Sequence, residues 1–231
     1  MPFDIRRFSL YSFFVKIYLL PLYLKKCVVI GYNTIDRPII INLVRKVGRE
    51  CDLLITENEA YQICMAVNRT KKIKGDIAEV GVYKGGSAKL ICNYKGNKTL
   101  HLFDTFEGLP ELSKHDCKKQ FKKGMHSAIY MDTKKYLSEY RDVHFYKGYF
   151  PDTAAPIYYK KFSFVNLDAD LYDSTLDSLK FFYPRMNKGG IIIVHDYYGG
   201  KGVMKAVDEF FIDKTEPVIE LSGTQCLIVK V

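Results

Sequence analysis

The spacing of apolar positions divides the chain in two. Up to about residue 72 they recur at helical intervals; after Gly75 short apolar runs alternate with amphipathic stretches. In the first part, TENEAYQICMAVNRT opens on Thr56 as a cap with Glu59 three positions later. Tyr61, Ile63, Cys64 and Val67 then fall on one face, so a helix is predicted there. In the second part, strands are predicted at residues 76–81, 99–103, 143–147, 162–167 and 191–194, with helices at 86–94, 173–183 and 202–212. Pro184 and the turn Asn187-Lys188-Gly189-Gly190 end the second of those helices, and a closing strand pair is predicted at 217–221 and 225–231 around Ser222-Gly223-Thr224. The run IIIV at 191–194 is apolar on both faces, as the centre of a parallel sheet requires. This alternation predicts an α/β fold, a doubly wound, mostly parallel sheet of seven strands, with its ligand at the carboxyl ends of the strands. Residues 1–72 read as an N-terminal helical extension and residues 73–231 as the α/β domain.

Composition narrows the class. A chain of 231 residues that is 48% hydrophobic suits one α/β domain with additional helices. The net charge of +9 comes largely from lysine doublets spread along the whole chain, such as Lys71-Lys72 and Lys160-Lys161. No nucleic-acid reading module accompanies them, so a nucleic-acid partner is not expected. Six cysteines without a Cys-x-x-Cys pair read as reduced thiols of a cytoplasmic protein, against a disulfide framework or a zinc site. The apolar segment at residues 8–30 is interrupted by Lys16 and Pro21, and its unbroken runs fall short of the roughly 20 residues a spanning helix needs. It reads either as a helix packed on the domain or a dimer partner, or as an interfacial helix turning Arg6, Arg7, Lys25 and Lys26 toward lipid headgroups. The basic stretch from Lys114 to Lys135 is either a solvated loop or a lid favouring an anionic acceptor.

The candidate chemistry sits at predicted strand ends. In Glu79-Val80-Gly81-Val82-Tyr83-Lys84-Gly85-Gly86-Ser87, Gly81 permits a sharp bend, and Gly85 and Gly86 let a helix start close to the sheet with Ser87 as its cap. The pattern is not Gly-x-Gly-x-x-Gly, and Glu79, read as lying over the pocket, would attract an ammonium group and repel a pyrophosphate. Asp104 ends the second strand a little over twenty residues after Gly81, where a carboxylate can bond ribose hydroxyls. A nucleoside with a cationic amino-acid tail, S-adenosylmethionine, fits this better than NAD. The fourth and fifth strands end in Asp168 and in His195-Asp196, side by side at one sheet edge. Converging oxygen ligands there suit Mg²⁺, and Asp168 or His195 could accept a proton from an acceptor hydroxyl.

Taken in order, GDIAEVGVYKGGSA, FDTFEGLP, KGYFPDTA, LDADLYDSTLDSLKFFYPRMNKGG and the closing HDYY…GVMKAVDEFF resemble the macrocin O-methyltransferase family. The resemblance runs from about Leu54 to the C-terminus. It implies a Rossmann-like class I methyltransferase fold, S-adenosylmethionine as donor, Mg²⁺, a homodimer, and a sugar hydroxyl on a small glycoside or glycan as acceptor. The cofactor set would be Glu79, Gly81, Val82, Tyr83, Gly85 and Ser87 with Asp104, Thr105 and Phe106. Asp168 would serve as metal ligand and base, beside His195 and Asp196. His195-Asp196 departs from the Asp-Asp pair that several family members carry there. Two alternatives compete: an NAD(P)-linked enzyme of nucleotide-sugar metabolism, and a non-catalytic, membrane-attached member of the fold.

Overall fold

The structure is a computed structural model and describes residues 36–231. The apolar segment at residues 8–30 lies outside the described residues. Among the described residues no helix is long and apolar enough to cross a membrane.

Two helices precede the sheet, α1 (Asp36–Glu50) and α2 (Glu57–Arg69). The second starts as its sequence predicts. The Thr56 hydroxyl accepts the Glu59 N–H while the Glu59 carboxylate accepts the Thr56 N–H, which closes a capping box. Seven strands follow: β1 (Asp76–Val80), β2 (Leu100–Asp104), β3 (Val143–Lys147), β4 (Phe162–Leu167), β5 (Met186–Val194), β6 (Ile219–Glu220) and β7 (Cys226–Val229). Their spatial order is β3-β2-β1-β4-β5-β7-β6. The first five are parallel, and β7 runs antiparallel to both of its neighbours. The intervening helices are α3 (Gly86–Tyr94), α4 (Tyr130–Tyr136), α5 (Tyr172–Phe182) and α6 (Lys201–Phe211).

Strand side chains alternate between two helical layers, so the central strands are apolar on both faces. Ile77, Phe164 and Ile193 pack with Ile63 of α2 and Ile91 of α3. Ala78, Val165 and Ile192 face the other way, toward Leu179 and Phe182 of α5 and Val203 and Val207 of α6.

One local prediction fails. Residues 187–190, read as a turn, are the first part of β5. Met186 pairs with Phe162 and Ile191 with Phe164, so the register shifts between them and the strand bulges. A Cβ on Gly190 would stand 2.8 Å from the Asn187 carbonyl oxygen, which is why the bulge carries glycine rather than breaking the strand.

The register also sets the site. Val80 pairs with Leu167, and Leu167 with Val194. The Asp168 N–H donates to the Val80 carbonyl and the His195 N–H to the Leu167 carbonyl, both at 2.8 Å. Gly81, Asp168 and His195 therefore leave three neighbouring strands at one level. Because the chain passes from β1 out to β2 on one side and returns at β4 on the other, a crevice opens there.

Candidate active site

Gly81 has φ of 86°, and a Cβ there would come within 1.8 Å of the Asp168 carbonyl oxygen. Only glycine lets the ends of β1 and β4 approach this closely. Asp104 closes the turn from the other side. Its Oδ2 accepts the Val82 and Tyr83 N–H groups, each at 2.7 Å, and its Oδ1 accepts the Phe106 N–H at 2.6 Å. Burial raises the Asp104 pKa against these three bonds. The carboxylate predicted to bind ribose fastens the glycine turn to β2.

Two expectations need correction. Ser87 does not cap α3. Gly85 occupies the cap in a left-handed conformation with no side-chain bond, and Ser87 is inside the helix, near Glu79. Glu79 does not lie over the pocket. Ile77 faces the layer formed by α2 and α3, and Glu79, two positions on, points the same way, under the start of α3. It is fully buried and accepts the Asn166 amide at 2.9 Å, with Oε2 unpartnered. Burial pushes its pKa up to about 8.

At the ends of β4 and β5, Asp168, His195 and Asp196 each place one donor atom within 4.8 Å of the others. His195 Nδ1 is 3.2 Å from Asp168 Oδ1 and 3.3 Å from Asp196 Oδ2, and Nε2 is 3.6 Å from Glu59 Oε2. Neither ring nitrogen makes an aligned hydrogen bond, although the side chain is buried. Burial alone would lower the His195 pKa, but Asp168, Asp196 and Glu59 outweigh it and raise it. Asp170 is pushed up in turn by burial and by the charges of Asp168 and Asp196. Glu59 is also buried, yet His195, Thr224 and Thr56 hold it below the usual carboxylate range. Three carboxylates, of Asp168, Asp196 and Glu59, around one imidazole make a strongly cation-seeking centre. Asp170 and Asp196 both adopt positive φ, 59° and 56°, a backbone cost that concentrates at this site.

These groups share one cavity of about 440 Å³. Of the predicted residues, Gly81, Val82, Tyr83, Ser87, Asp104, Thr105, Asp168, His195 and Asp196 line it, whereas Glu79, Gly85 and Phe106 stand behind its wall. Sequence reasoning missed two contributors. Asp170 lines the cavity and was visible as the second acid of LDADLYD. Glu59 was read only as a helix-capping residue, and nothing local in its sequence reveals that it also faces His195. The stretch after β2 does cover the cavity: Leu109, Phe121, Met125 and His126 line it, and Gln120 bonds the Gly199 carbonyl at 3.1 Å.

The sequence profile of the family described as Macrocin-O-methyltransferase (TylF) matches residues 57–225, most of the chain. The protein belongs to the macrocin-O-methyltransferase family. Within the sequence of a Streptomyces olivaceus relative, 8-demethyl-8-(2,3-dimethoxy-alpha-L-rhamnosyl)-tetracenomycin-C 4'-O-methyltransferase, 26% of 190 residues are identical, covering 71% of this chain and 69% of that one. Demethyldecarbamoylnovobiocin O-methyltransferase of Streptomyces niveus is 28% identical over 153 residues, covering 60% of this chain and 58% of its own length. In fold, the macrocin-O-methyltransferase member described here is similar to the O-methyltransferase NovP, with a TM-score of 0.72 at 21% identity, covering 85% of this chain and 100% of that one. Membership of this family decides against the NAD(P)-linked alternative.

Proposed function

We propose that this macrocin-O-methyltransferase family member transfers the methyl group of S-adenosylmethionine to a hydroxyl of a sugar or glycosylated acceptor, with a divalent cation held by Asp168, His195 and Asp196. One observation carries the reading: the glycine turn, Asp104 and the three cation-donor side chains open into the same cavity, so donor and acceptor can meet there. The buried, unpartnered ring nitrogens of His195 fit a ligand role. S-adenosylmethionine supplies the methyl on a sulfonium, and a cation supplies positive charge that eases deprotonation of a nearby hydroxyl.

The chain's own residues do the rest. Asp104 and the turn at Val82 and Tyr83 position the nucleoside end of the donor. Leu53, Val80, Phe103, Leu109 and Phe121 form apolar wall that excludes water from the transfer. Asp168, at the cavity edge, accepts the acceptor's hydroxyl proton as the oxygen attacks the methyl carbon. The acidic lining from Asp168 and Asp196 attracts the positively charged sulfonium of the donor.

Calorimetric titration of the full chain with S-adenosylhomocysteine tests the donor half. Saturable heat is expected, and folded protein giving none would overturn the reading. A screen of glycosides with labelled donor tests the acceptor half. There Asp168→Ala should lower turnover by about 10²–10⁴-fold, the worth of a general base, while S-adenosylhomocysteine still binds.

A further inference from the structure

We propose that the cation site selects a first-row transition dication of the Fe²⁺, Co²⁺ and Ni²⁺ type over Mg²⁺, through His195 held in place by Glu59. This rests on the reading of Asp168, His195 and Asp196 as cation ligands and names the ion that this set prefers.

The donor set is one imidazole nitrogen and two carboxylate oxygens, mutually within 4.8 Å. Mg²⁺ favours an octahedron of oxygens and keeps much of its water, so a ring nitrogen gives it little. Iron, cobalt and nickel dications gain from imidazole, and their affinity for a mixed nitrogen and oxygen site rises along that series. His195 is placed to make this difference. It is 8% exposed, neither ring nitrogen has a hydrogen-bond partner, and Nδ1 faces the Asp168 and Asp196 oxygens at 3.2 and 3.3 Å.

Glu59 stands on the other side of the ring, with Oε2 3.6 Å from Nε2. Its carboxylate cannot swing away. Oε2 accepts the N–H and hydroxyl of Thr56, and Oε1 accepts the N–H and hydroxyl of Thr224, all four bonds at 2.8 Å. The charge of this fixed carboxylate beside Nε2, without an aligned hydrogen bond, favours the tautomer protonated there and leaves Nδ1 to the ion. The start of α2 and the β6–β7 turn thereby act on the ligand from outside the cavity. Glu59 is a positioning residue, and His195 is the specificity-determining one.

The test uses metal-free full-length protein titrated separately with CoCl₂ and MgCl₂, followed by calorimetry and by the visible bands of Co²⁺. Co²⁺ should bind at one site at least ~100-fold more tightly than Mg²⁺, with a paramagnetically shifted imidazole N–H proton in the NMR spectrum. His195→Asp, which makes the set all oxygen, should remove that proton signal and shrink the preference by ~10-fold or more. Glu59→Gln should keep the imidazole bound but weaken Co²⁺ by ~10–100-fold. If Glu59→Gln does not fold, His195→Asp alone carries the test. Equal affinity for the two ions, an unchanged preference in His195→Asp, or no binding of either ion overturns the proposal. Each of those results with S-adenosylhomocysteine binding intact leaves the methyltransferase reading standing; loss of that binding in folded wild-type protein is the separate failure.

Discussion

Glu79 is an acid held where an acid costs stability. With a folded-state pKa raised to about 8 against an ordinary 4.5, it binds its proton more tightly in the native state than in the unfolded chain. Its contribution is therefore fully present below the unfolded value and is lost as pH rises through the folded one. Glu79→Gln keeps an acceptor for the Asn166 amide and has no proton to lose. Ligand-free Glu79→Gln should match wild type near pH 4.5 and exceed it by roughly 2–4 kcal/mol above pH 8, in denaturant melts across that range. A difference independent of pH would show that Glu79 is ionised in the folded protein at every pH tested. Asp104, Asp168, His195 and Asp196 were legible in the sequence because each closes an apolar run, which is where a parallel sheet delivers its site. Glu79 sits one residue inside such a run, where alternation of side chains decides its direction. Ile77 shares its face, so the same pattern that predicted β1 already implied burial.

At the scale of elements, the junction of β1 with α3 carries the tightest steric demand in the site. The Gly81 backbone is left-handed, and the Asp168 carbonyl occupies the space a side chain would take, at 1.8 Å from a Cβ. Gly81→Ala must push β1 and β4 apart at the point where the Asp168 N–H bonds the Val80 carbonyl. Thermal denaturation should register a loss of ~3 kcal/mol or more, with S-adenosylhomocysteine binding abolished in whatever remains folded. A fully stable, cofactor-binding Gly81→Ala would mean that the two strand ends do not meet this way. The limits of α3, β3 and β4 were readable to the residue, since the apolar runs there end sharply at glycine or charged residues. The start of β5 was not: Asn187-Lys188-Gly189-Gly190 has the composition of a turn, and only pairing with β4 across a register shift makes it strand. The cover over the cavity was legible only as one of two readings of the basic stretch, because it closes through a small cluster of Leu109, Phe121 and Leu171 rather than through any local repeat.

For the whole molecule, the open question is whether the helices before residue 72 are an appendage or part of the enzyme. Three connections argue for the second. Ile40, Val44 and Val47 of α1 are buried against Ala60 and Cys64 of α2 and Leu90 of α3. The linker between α1 and α2, Asp52 to Ile55, lines the cavity. Asp52 also binds the glycine turn, accepting the Tyr83 hydroxyl at 3.1 Å and pairing with Lys84 at 3.2 Å. The surface pair adds little, but burying three aliphatic side chains stabilises by roughly 5 kcal/mol, comparable to the whole stability of a modest domain. Deletion of residues 1–55 should therefore lower the melting temperature by many degrees and weaken S-adenosylhomocysteine by ~10-fold or more, because it removes one wall of the site. A segment serving only to touch a membrane or a partner subunit would behave otherwise: the shortened chain would melt with the full one and bind the cofactor product equally well. Circular dichroism melts and calorimetry on the two chains separate these outcomes, and unchanged values in both would return residues 1–72 to the separate region that their sequence pattern first suggests.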